Sequence, residues 1–93
     1  MIVSVCQAEL YLSESQSLKD KRQALSSLKE RLHNRFNLSV AEVDHHDLWQ
    51  RACLGLAAVS NSTAHGDEVI AKAVDFIRND RRVVLSDYST WEA

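Results

Sequence analysis

Residues 38–60, LSVAEVDHHDLWQRACLGLAAVS, decide the fold, because they read as two strands joined by a short link. Leu38 to Asp44 and Arg51 to Ser60 each mix β-branched with small apolar residues and are bounded by polar clusters, which is the pattern of half-buried strands. The link Asp44-His45-His46-Asp47-Leu48-Trp49-Gln50 suits a hairpin between antiparallel neighbours. Upstream, Ser17 with Asp20 three residues later makes a capping-box-like start. The stripe Leu18, Leu25, Leu28, Leu32 and Phe36 then predicts a helix to about Arg35, with Asn37 as its stop.

The outer segments repeat the scheme. Ile2 to Leu12 alternates, with Ile2, Ser4, Cys6, Ala8, Leu10 and Leu12 on one face and Val3, Val5, Gln7, Glu9 and Tyr11 on the other, so it is a long strand. After Asn61, Ser62 and Thr63 as candidate caps, Val69, Ile70, Ala73, Val74 and Ile77 recur at helical spacing up to Arg78. Asn79-Asp80-Arg81-Arg82 reads as a turn, and Val83 to Trp91 as a last strand whose mixed alternation implies a bulge. The order β, α, β, β, α, β is met most simply by a four-stranded antiparallel sheet with both helices on one face, the first and third strands central. The expected fold is therefore α+β, ferredoxin-like βαββαβ, in a single domain over residues 1–93.

Composition narrows the function classes. The chain is 45% apolar and 26% charged, as globular proteins are, and it has no low-complexity tract. The opening MIVSVCQAEL has no basic leader and meets Gln7 and Glu9 early, so neither a signal peptide nor a membrane span is expected. Two cysteines, Cys6 and Cys53, are too sparse for a disulfide scaffold or a paired zinc motif; a reducing, cytoplasmic setting is expected. Glycine occurs only at Gly55 and Gly66, which leaves no phosphate-cradling glycine-rich loop.

Charge supplies the main functional lead. Ser17 to Phe36 carries six cations against Asp20 and Glu30, a net +4, while the remainder, with five cations and eleven carboxylates, is −6. At about 100° per residue, Lys19, Arg22, Ser26, Lys29 and His33 share a narrow arc beside the apolar stripe, where phosphates would be the fitting ligand. Arg35 extends the cationic set, and Lys21, close to the stripe, is expected to snorkel at the core edge. The alternative is a solvated flank that binds nothing.

The remaining candidates are weaker. Val3, Val5, Ala57 and Val59 make a small apolar patch on the uncovered sheet face, which suits a homodimer, or else is an ordinary exposed patch. The same face lacks the aromatic platforms on its central strands that RRM-type recognition requires, since Tyr11 lies near one end. His45 and His46 sit among Glu42, Asp44 and Asp47, but adjacent residues on extended chain point to opposite sides, so no metal site is expected. One hydrogen-bonded, buried histidine in a solvent-facing turn is the expectation there. Trp49 is expected to plug the core beneath the hairpin, the alternative being an exposed anchor for a partner. No nucleophile–base constellation can be assigned from spacing, and no cofactor is implied.

The stretches SLKDKR (Ser17 to Arg22) and RFNLSVAEVDHHDLWQRACLG (Arg35 to Gly55) resemble the YlxP-like family, small bacterial domains of unknown function. The resemblance covers nearly the whole chain and implies the ferredoxin-like fold. Genes of that family often lie beside those for transcription and translation factors, a ribosome-binding factor among them, and this implies work linked to the ribosome or RNA. His46 is frequently Gln in the family pattern, which weakens a metal role for it. The leading expectation is a non-enzymatic factor binding the ribosome or structured RNA through Lys19, Arg22, Lys29 and Arg35, with a homodimer through the sheet face. A protein-binding module using Trp49 is the alternative. An acylphosphatase-like enzyme ranks below both: it would need an arginine in an anion-cradling loop after the first strand, where Ser13-Glu14-Ser15-Gln16 places a carboxylate.

Overall fold

The computed structural model describes residues 1–93 and contains β1 (Ile2–Tyr11), α1 (Leu18–Arg35), β2 (Ser39–Asp44), β3 (Arg51–Ser60), α2 (Thr63–Arg78) and β4 (Val84–Glu92). The sheet order is β2-β3-β1-β4 with every pair antiparallel, which is the ferredoxin-like arrangement expected from the element order. No helix is long and apolar enough to cross a membrane.

Local chemistry explains the boundaries. Ser17 caps α1 by accepting from the Asp20 N–H, and Ser62 caps α2 by accepting from the His65 N–H, so of the three candidate caps only Ser62 acts. Helix α1 ends at Arg35 as expected, but its cap is Phe36 and not Asn37, because Phe36 turns extended while its N–H still reaches the Leu32 carbonyl. Leu38 and Val83 are buried just outside β2 and β4, so those strands start one residue later than the apolar pattern suggested. The even positions of β1 from Ser4 through Leu10 and alternate residues of β3 enclose the core with Leu25, Leu28 and Leu32 of α1 and Ile70, Ala73, Val74 and Ile77 of α2.

Two irregularities shape the open face. In β4 the register steps from Glu9↔Asp87 to Leu10↔Leu85, so Ser86 is the extra residue of the bulge implied by the sequence. In β2 it steps from Glu42↔Leu54 to Asp44↔Cys53, leaving Val43 unpaired. Gly55 makes room there: a Cβ on it would lie 2.9 Å from the Val43 Cγ1. The bulge also carries Asp44 onto the open face opposite Cys53.

Cys6 and Cys53 are both buried free thiols. They sit on opposite faces of adjacent strands, Cys6 opposite Leu56 and Cys53 opposite Glu9.

Candidate nucleic-acid interface

The outer surface of α1 is where the cations collect. Lys19, Arg22 and Ser26 are exposed, Lys29 is half-buried, and none of the three cations has a carboxylate partner. A shallow depression lined by Lys19, Arg22, Gln23, Ser26, Ser27 and Glu30 lies along this surface. Elsewhere the cations are tied up. Lys72 pairs with Glu68, Arg78 with Asp75, Arg31 with Asp80, and Arg51 approaches Glu9. The cations without a carboxylate partner are Lys19, Arg22, Lys29, Arg35, Arg81 and Arg82, and all six lie on α1 or in the turn after α2. That turn is held against α1 by the Arg31–Asp80 pair at 2.6 Å, and Arg82 lines a depression shared with Asp20, Gln23 and Ala24. Burial raises the Asp80 pKa, but hydrogen bonds from Arg31 and the Arg82 N–H outweigh it and hold the carboxyl below its ordinary value.

Arg35 does not join the arc of Lys19, Arg22 and Lys29. It stands over the Phe76 ring, 5.6 Å from the centroid, in a cleft between the helices, with Arg31 over the same ring at 5.8 Å. Phe36 meets Phe76 edge-on at 5.9 Å and closes the cleft floor.

Lys21 departs most from expectation. Instead of snorkelling, it is 1% exposed, and its ammonium donates to the carbonyls of His45 (2.8 Å), His46 (3.3 Å) and Arg51 (3.3 Å). The same ammonium pairs with Glu42 Oε2 at 3.0 Å, an oxygen with no other partner. Helix α1 thus holds the β2–β3 hairpin from within. Gln50 adds a second clamp: its side-chain amide donates to the carbonyls of Ser13 and Ser15, and its own carbonyl accepts from the Leu12 N–H.

The histidines diverge, but through a turn and not along extended chain. His45, at a left-handed φ of 62°, places Nε2 3.1 Å from Glu9 Oε2 on the open face, and His46 places its Nε2 3.1 Å from the Glu42 carbonyl. His45 is half-buried, its sequence neighbour exposed. Beneath the Glu9–His45 pair, Cys53 is pushed up by burial and by the Glu9 and Asp44 carboxylates, against a hydrogen bond with Gln7.

Trp49 is not a plug. It is 56% exposed at the tip of the hairpin beside an exposed Leu48, and the space under the hairpin is taken by the buried side chain of Lys21 and by buried Leu12, whose N–H donates to the Gln50 carbonyl. On the open face, Val3, Val5 and Ala57 are half-buried and Val59 is exposed, with Val3 opposite Val59 and Val5 opposite Ala57. Sequence reading missed Trp91, whose pairing with Val5 adds it to this patch. The signal was the Val5↔Trp91 register, which the bulge at Ser86 hides from simple alternation.

Comparison with known proteins gives two matches. A family described as "Protein of unknown function (DUF503)" matches residues 3–90. "Uncharacterized protein YlxP" of Bacillus subtilis (strain 168) is 33% identical over 76 residues, which cover 82% of this chain and 83% of that protein.

Proposed function

Starting from the fact that the chain belongs to the DUF503 family, whose function is unknown, we propose that it is a non-enzymatic RNA-associated factor that binds phosphates through α1. The supporting observation is that all six cations free of carboxylates are gathered on α1 and the adjacent turn, in a protein whose net charge is −2. A like distribution on a merely solvated surface would pair or scatter them. The partner is structured RNA such as that of the ribosome.

The test is a filter-binding or co-sedimentation titration with ribosomal RNA and ribosomal subunits across a salt series. Each phosphate contact contributes a slope of about −0.7 to −0.9 in log affinity against log salt, so three contacts give roughly −2 to −3. Replacing Lys19, Arg22 and Lys29 by Glu should abolish binding with the circular dichroism unchanged. Undiminished affinity in that variant refutes the assignment.

A homodimer through the open sheet face is the second element of the proposal, supported by the contiguity of Val3, Val5, Ala57, Val59 and Trp91. Sedimentation equilibrium tests it: Val59→Lys should leave a monomer. A wild-type protein that is monomeric at high concentration refutes the dimer without touching the RNA reading, because α1 lies on the opposite side of the sheet.

A further inference from the structure

Trp49 is the most exposed aromatic residue of the chain, and it is borne by a loop that is unusually well held. Three backbone carbonyls flanking the tip, those of His45, His46 and Arg51, are fixed by one buried ammonium. Gln50, the next residue after Trp49, is anchored at both its side chain and its backbone. Leu48 N–H donates to the His45 carbonyl and closes the turn. An indole left in water at the end of a freely moving loop would lose rotational freedom on meeting a partner. Here the backbone part of that ordering has already been done by folding.

The position of the tip relative to the cations gives it a ligand class. Arg31 and Arg35 mark the flank of α1 that faces α2, since both lie over Phe76. Arg22 and Lys29, seven residues apart, are nearly eclipsed on the other flank, about 10 Å apart along the axis. Helix α1 packs against β2, the strand that runs into the hairpin. Going from Lys29 to Arg22 along α1 leads to its N-terminal turns, where Lys21 binds the hairpin and next to the Ser13–Ser15 loop that Gln50 holds. A polyanion lying on this flank would run toward the end of the molecule that carries the hairpin, where an aromatic face is exposed.

We propose that Trp49 is a base-stacking platform for an unpaired nucleotide of an RNA strand whose phosphates lie on Arg22 and Lys29. This rests on the RNA reading above and sharpens it, because it requires a single-stranded element and not duplex alone. Stacking on an aromatic side chain is indifferent to base identity, so the site selects for strandedness and not sequence.

Trp91→Phe leaves Trp49 as the sole tryptophan, so its emission reports the tip directly. Titration of this variant with a single-stranded oligouridylate and with a duplex RNA of equal length, at low salt, should show quenching by the single strand only. Trp49→Ala should lose roughly five- to 150-fold in affinity for the single strand and leave duplex binding unchanged, while Trp49→Phe should restore most of the loss. Trp49 is exposed, so these variants should keep the wild-type melting temperature. If RNA binds and the Lys19, Arg22 and Lys29 reversal abolishes it, yet Trp49 is unquenched and Trp49→Ala is silent, the platform is refuted and the phosphate reading stands. If neither RNA binds the wild-type protein, both fall.

Discussion

Replacing Lys21 by Met should cost this domain a large part of its stability. The substitution keeps most of the aliphatic stem and removes only the ammonium, which is buried to within 1% and serves three carbonyls and one carboxylate. Glu42 would be left as a carboxylate whose side chain is 16% exposed, with no counter-charge and no other partner for its inner oxygen. Removing one member of a buried pair costs about 3–5 kcal/mol, mostly through the charge left behind. Against a total of about 5–15 kcal/mol, and at about 4–8 °C per kcal/mol for a domain of this size, the melting temperature should fall by tens of degrees. Replacing Glu42 by Leu as well removes the stranded charge, so the double variant should recover part of the loss. Urea titration with circular dichroism measures both. A Lys21→Met protein within 1 kcal/mol of wild type would refute the claim that this ammonium holds the hairpin. Hydrogen exchange gives an independent reading: the Leu48 and Leu12 amides, donors to the His45 and Gln50 carbonyls, should lose protection first.

Further outcomes follow from other buried groups. Ser4 Oγ is buried without a hydrogen-bond partner, so Ser4→Ala should be neutral or stabilising by about 1 kcal/mol, and a clear loss in urea titration would contradict that. A Cβ on Gly66 would lie 2.2 Å from that hydroxyl, so Gly66→Ala should cost about 1–3 kcal/mol and be partly rescued by Ser4→Ala in the double variant. Burial, with Cys53 adding to it, pushes the Cys6 thiol up to about 11 from 9.0; its neutral form is favoured by folding, so its contribution is intact below pH 9 and is lost as pH rises toward 11. The stability of Cys6→Ala should therefore fall less steeply over that window, and native-state alkylation of Cys6 should be slow. The Asp80 carboxyl is held below its ordinary 3.8, so its contribution is present above that pH and is lost as pH falls through the lower folded value; acid melts of Asp80→Asn should lack that component.

Much of the architecture was legible because periodicity is a direct record of which face is buried. The alternation of β1 and the spacing of Leu25, Leu28 and Leu32 require no knowledge of tertiary contacts, and β3 is bounded at Arg51 and Ser60 as read. What failed depends on contacts distant in sequence. Lys21 falls on the apolar face of its helix, and whether such an ammonium reaches water or a ring of carbonyls depends on a hairpin that lies 24–30 residues away. Trp49 stays outside the core for a related reason: with Lys21 and Leu12 buried under the hairpin, the largest apolar side chain of the loop has no core to enter. Arg35 shares the charge of its helix neighbours but faces Phe76, a contact set by helix crossing and not by spacing along α1. Trp91 reaches the open face through a bulge whose position no local pattern fixes.

The two stretches that carry the family resemblance, Ser17 to Arg22 and Arg35 to Gly55, are far apart in the chain and meet at one atom, Lys21 Nζ. That meeting joins the element bearing the free cations to the loop bearing the exposed indole. It costs a buried charge, and a charge in a core is poor value for stability alone, since well-packed apolar residues serve as well or better. A domain that needed only to stay folded could fill this space with leucine. What the ammonium does that leucine cannot is fix three backbone carbonyls of an irregular loop, and so determine where its tip points. The ammonium therefore fixes the direction of the hairpin tip, while the apolar sheet face lies on the opposite side from α1.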